Sequence, residues 1–106
     1  MEDIRVGFGS KIKMGVHLEP FGDIHAESYD FTVYFFTPNG KVELGIVKEA
    51  LIKEDSDNYI ARVDTGIVGL GRLMFRVTAS VPDEDFEGGF RDEAIPETKT
   101  NVVIVK

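Results

Sequence analysis

The chain has no cysteine and no tryptophan, and only two histidines and four prolines among its 106 residues. Without cysteine there can be no disulfide framework, zinc–thiolate centre, iron–sulfur cluster or thiol nucleophile. Basic residues are also scarce: 12 Lys+Arg stand against 19 Asp+Glu, a formal net charge of −7. That sign is wrong for a nucleic-acid backbone or an anionic membrane surface, so neither is expected as a partner. Long apolar runs are missing as well. The densest, Phe31 to Phe36, is interrupted by Thr32, whereas a membrane helix needs about 20 consecutive apolar residues. The opening Met1-Glu2-Asp3-Ile4-Arg5-Val6 lacks the basic start and apolar stretch of a secretory signal, so synthesis in the cytoplasm is expected.

What is present is alternation. Ile4, Val6 and Phe8 alternate with Arg5 and Gly7. The same period of two runs through Ile12, Met14, Val16 and Leu18, through Tyr29, Phe31, Val33 and Phe35, and through Val42, Leu44 and Ile46. It returns at Tyr59, Ala61 and Val63, and again from Leu73 to Val81. Successive side chains of a strand point to opposite faces, so this pattern reads as half-buried β-strands. Val102-Val103-Ile104-Val105 is continuous and β-branched, which also favours a strand.

Turn signals fall between these runs: Pro20 with Gly22, Thr37-Pro38-Asn39-Gly40 as a hairpin, and Glu54 to Asn58. Val47 to Lys53 reads as a strand, with a bulge allowed, and Gly66 to Leu70 as a short helical turn. The polar stretch from Pro82 to Lys99 reads as a long loop. A single all-β domain over residues 1–106 follows, with seven to eight mostly antiparallel strands. It is expected to be a β-sandwich of immunoglobulin-like type without the antibody disulfide, a small closed barrel being the other architecture.

No reaction chemistry is spelled out. Ser10, Ser28, Ser56 and Ser80 sit in no G-x-S-x-G elbow. His17 falls on the polar side of a strand and His25 in the following loop, with no H-x-H or H-x-x-x-H spacing. Gly66-Ile67-Val68-Gly69-Leu70-Gly71 precedes a strand rather than opening a helix, so it reads as a crossover and not as a phosphate cradle. The chain is therefore expected to be no enzyme, with no catalytic residue, metal ligand or cofactor assigned.

Charge and aromatic residues are distributed unevenly. Seven of the 19 acids and one base, Arg91, lie between Asp83 and Glu97, which leaves 12 acids and 11 bases elsewhere. Asp83, Asp85 and Glu87 alternate as calcium ligands can, but no helices flank them and the continuation does not match a calcium loop, so a solvated loop guarding sheet edges is expected. With Phe31, Val33 and Phe35 facing inward, Tyr34 and Phe36 point outward, and exposed aromatics mark contact surfaces. Phe86 and Phe90 of the acidic loop either cover that pair or leave it to a partner. Tyr34, Phe36, Phe86 and Phe90 are accordingly the candidate interaction residues. Association with other proteins or with itself is the leading reading, and a carbohydrate- or calcium-binding module is the alternative.

A resemblance adds to this. Tyr59-Ile60-Ala61-Arg62-Val63-Asp64-Thr65-Gly66 followed by Gly69-Leu70-Gly71-Arg72-Leu73 resembles the strand–crossover–strand unit of small immunoglobulin-like modules in phage tail and baseplate proteins. Tyr29-Asp30-Phe31-Thr32-Val33, and Val81-Pro82-Asp83 with Phe86, Gly89, Arg91 and Glu93, are similar to such modules in prophage regions of gut bacteria. The likeness runs from about Met14 to Ile104, and Leu73 departs from it where a corner tyrosine is expected. The resemblance implies a non-catalytic structural or adaptor role, virion-associated.

Overall fold

The computed structural model describes residues 2–106. Eight strands form two sheets. They are β1 (Ile4–Gly7), β2 (Lys11–His17), β3 (Asp30–Phe36), β4 (Leu44–Val47), β5 (Ile52–Lys53), β6 (Asn58–Asp64), β7 (Gly71–Pro82) and β8 (Phe90–Val105), with one helical turn, α1 (Thr65–Val68). One sheet has the order β1-β8-β7-β3-β4 and the other β2-β6-β5. All pairings are antiparallel except β1 with β8, so the five-stranded sheet is mixed.

The alternation of the sequence becomes the two sides of each sheet. Phe31, Val33 and Phe35 of β3 and Leu73, Val77, Ala79 and Val81 of β7 are buried against Val16 of β2 and Tyr59, Ala61 and Val63 of β6. Edge-on aromatic contacts run through this core, from Phe21 to Tyr29, Tyr29 to Phe31 and Phe31 to Tyr59, with centroids 5.2 to 5.9 Å apart. This geometry matches the positive rim of one ring to the negative face of the next.

One end is closed by buried hydroxyls. Thr65, fully buried, donates to the carbonyl of Ser10 at 2.7 Å. Thr37 donates to the carbonyl of Val68 at 2.9 Å. Gly40 lies against the same carbonyl: a Cβ there would sit 2.2 Å from it, so the turn after β3 has no room for any side chain.

Three local expectations are corrected. The stretch from Pro82 to Lys99 is not a long loop. Only residues 83–89 turn, and β8 then runs 16 residues to Val105. Its polar alternation hid it, because Asp92, Ala94 and Pro96 face solvent while Arg91, Glu93 and Ile95 are half-buried. Pro96, unable to donate to a ladder, falls between the Val77–Ile95 and Phe75–Thr98 pairs, where the register slips. Val47 to Lys53 is likewise not one strand. A 3-10 turn at Lys48–Ala50 separates β4 from the two-residue β5 and carries the chain from one sheet to the other. Finally, Phe8 and Val42 lie outside β1 and β4 and are about half exposed.

Candidate interaction faces

The outer side of the five-stranded sheet is built by the even-numbered residues of β3 and β7. Register places Phe36 beside Met74, Tyr34 beside Arg76, Thr32 beside Thr78 and Asp30 beside Ser80. Tyr34 also faces Gly45 of β4. A Cβ at Gly45 would approach the Tyr34 ring to 3.0 Å, so the missing side chain gives the phenol room to lie across the neighbouring strand.

On the other side of Tyr34, the Arg76 guanidinium lies 4.2 Å from the ring centroid. It is held there by Glu43, which accepts from Nε at 2.9 Å and from the terminal nitrogen at 3.3 Å. That carboxylate holds the Arg76 pKa above its ordinary value, chiefly through the hydrogen bond. The result is a fixed row of Tyr34, Arg76 and Glu43. Cation–ring attraction and a two-point carboxylate contact both restrict the arginine.

Two open depressions flank this row. One, of about 600 Å³, has Phe36, Pro38, Val42 and Met74 among its walls, with Lys41, Glu97 and Lys99 at its rim. The other, of about 640 Å³, carries two carboxylates: Asp30, Ser80 and Asp92 form one cross-strand row and Thr32, Thr78 and Ala94 the next.

Tyr34 and Phe36 are thus brought together, half-buried, on one face. Phe86 and Phe90 are not brought to them. They are exposed at the β7–β8 turn, and Phe90 pairs with Pro82, six residues along β7 from the Arg76 that neighbours Tyr34. At the rise of a strand this separation is roughly 20 Å. The covering group over Tyr34 is Arg76, which alternation alone did not reveal. The guanidinium takes one of the ring faces on which a sugar would stack.

At the turn itself, Gly88 and Gly89 adopt φ of 84° and 80°, a conformation that side chains disfavour. Asp83 accepts from the backbone N–H of Asp85 at 3.0 Å and from the Arg91 guanidinium, whose Nε also donates to Glu93. These bonds hold the Asp83 carboxyl below its ordinary pKa, the Asp85 N–H most of all. The carboxylate that would begin a calcium site is therefore engaged by a cation. Among the described residues, no group of three or more His, Asp or Glu is arranged to hold a metal ion.

Sequence reading also missed a convergence at the end opposite Thr65. His25 Nδ1 lies 2.7 Å from Asp57 Oδ2 and His17 Nδ1 lies 2.8 Å from Asn58 Oδ1. Asp57 accepts from the Ala26 N–H at 3.0 Å as well. The His25 pKa is raised, first by its bond to Asp57, and the Asp57 pKa is lowered, first by the Ala26 N–H. These partners lie 31 to 41 residues apart, so no local spacing could announce them. Their chemistry is structural: they fasten the loop before β3 to the turn before β6.

Comparison of the chain with protein-family models, with curated proteins and with solved structures finds no match.

Proposed function

We propose that this chain is an immunoglobulin-like β-sandwich acting as a non-catalytic protein-interaction module, a structural piece of the phage tail or baseplate kind that its residue pattern resembles. The strand order supports the fold assignment. β8-β7-β3-β4 opposite β2-β6-β5 follows the G-F-C-C′ and B-E-D arrangement of variable-type immunoglobulin domains. Leu73, wholly buried at the start of β7, remains the departure from that family's tyrosine corner.

The observation that carries the interaction reading is the patch of Phe36, Met74 and Val42 beside the braced Tyr34–Arg76 pair. Aromatic residues, methionine and arginine are the types enriched in protein interfaces, around an apolar centre with a charged rim. A guanidinium already held by Glu43 loses little freedom when a partner docks, which lowers the cost of association.

A peptide-display selection on the immobilised protein tests this reading. Enriched peptides are expected to lose binding at least tenfold on Phe36→Lys or Val42→Asp and to keep it on Phe86→Ala. Enrichment of peptides indifferent to Phe36 and Val42 would overturn the assignment of this patch.

A further inference from the structure

The outer side of the three-stranded sheet has the opposite electrostatic character. Its outward residues are Lys11, Lys13, Gly15 and His17 on β2, and Asn58, Ile60, Arg62 and Asp64 on β6. Lys13 stands directly opposite Arg62, with Lys11 two positions along. Among the described residues, none of these three cations takes part in an ion pair. Asp64 is the one acid in the group, and its carboxylate is turned to the Gly66 N–H at 2.9 Å. Three cations thus share one uncovered face in a chain whose net charge is −7.

The depression on the far sheet that holds Asp30 and Asp92 is the complementary surface. Asp30 and Asp92 flank Ser80 across three adjacent strands, Glu49 lies at the margin, and no lysine or arginine lines the depression. Its floor of Thr32, Thr78, Ser80 and Ala94 is made of short side chains, which leaves space for long ones to enter. Lysine and arginine are the side chains that reach furthest from a flat sheet and keep their charge at the tip.

We propose that the partner of this face is a second copy of the chain: the Lys11–Lys13–Arg62 face of one molecule docks on the Asp30–Asp92 depression of the next. The two surfaces lie on opposite sides of the molecule, so the contact is head-to-tail. It propagates into a ring or an open stack rather than stopping at a symmetric pair. The Cα envelope of 48 × 27 × 25 Å gives each broad side room for the roughly 800 Å² per partner of a standard interface. At ordinary ionic strength, repulsion between the net charges is screened beyond about 10 Å, while oppositely charged side chains in contact are not. This proposal deepens the interaction-module reading by naming the partner, and rests on it. It uses a different surface from the Phe36 patch, so either can fail alone.

Sedimentation velocity across a wide concentration range tests it with two face variants, each checked for folding by circular dichroism. One carries Lys11→Glu, Lys13→Glu and Arg62→Glu; the other carries Asp30→Lys and Asp92→Lys. The unaltered chain is expected to form species larger than a dimer as concentration rises, and each variant alone to stay monomeric. Mixed together, the variants present one unaltered pair of matching faces and one charge-swapped pair, and are expected to associate again into species larger than a dimer. If a reversal prevents folding, Lys13→Gln and Asp92→Asn replace it, with association expected to weaken at least tenfold. A monomeric unaltered chain, variants that each associate alone as it does, or a mixture that stays monomeric would overturn the proposal.

Discussion

The two sides of the five-stranded sheet are made by the same strands and do different work. On β3, Phe35 is buried and Phe36, its immediate neighbour, is half exposed. On β7, Leu73 is buried and Met74 is not. A single step along the chain separates a residue that holds the sheets together from one that meets the outside. The inner side is apolar, and its contribution to stability scales with the area taken from water. Along the outer side the depression at Phe36 and Met74, a braced arginine and an acidic depression follow one another. Burial of that side is partial, so substitutions there cost little folding free energy and change what the surface can hold.

The sharpest break of this comparison is on the inner side. Leu73→Ala removes a completely buried side chain from the inner side of β7. It is expected to cost about 2–5 kcal/mol in chemical denaturation, the range for leucine truncation in a close-packed core. A cost near zero would mean that the inner side is not the packed one.

A smaller change of opposite sign is expected from Tyr59→Phe. The Tyr59 ring packs edge-on to Phe31, and its hydroxyl is enclosed with no partner among the described residues. Burial also raises its pKa. Removing the hydroxyl keeps the ring contact and relieves an unmet polar group, so stability is expected to rise by about 1 kcal/mol in the same assay. A loss of stability would show that the hydroxyl is bonded in solution.

The mildest effect concerns the exposed fastening at His25 and Asp57, which neither side of the sheet controls. The folded pKa of His25 is raised above 6.5. Its contribution is fully present below that value and fades as pH rises through the folded pKa. The folded pKa of Asp57 is lowered below 3.8. Its contribution is present above that value and fades as pH falls through the folded pKa. Both act together between 3.8 and 6.5. The melting-temperature difference between the unaltered chain and His25→Ala is expected to be greatest in that window and to shrink above neutral pH. A difference that does not vary with pH would remove the ionic part of this contact.

Legibility in the sequence followed locality. Period-two alternation marks β1, β2, β3, β6 and β7 and the inward set Phe31, Val33 and Phe35, because facing is a property of each strand by itself. It also placed Tyr34 and Phe36 outside together. It failed for β8, where solvent-facing charges, Pro96 and a register slip imitate a loop. It failed too for Arg76 over Tyr34 and for His25 on Asp57, since these contacts join residues 42 and 32 positions apart and depend on cross-strand register. The partition of charge into a basic and an acidic face has the same origin. Lys13 and Arg62 are isolated in the chain and adjacent only once β2 pairs with β6.

The central claim is this division of labour between alternate residues, and the pair Phe35 and Phe36 tests it most directly. Phe35→Ala and Phe36→Lys are to be compared in one experiment that measures the unfolding free energy and the affinity for a peptide selected on the unaltered protein. The account predicts that Phe35→Ala lowers stability by about 3–5 kcal/mol. Phe36→Lys is expected to stay within about 1 kcal/mol of the unaltered chain while losing peptide binding at least tenfold. Equal destabilisation by the two substitutions, or peptide binding that survives Phe36→Lys, would contradict it.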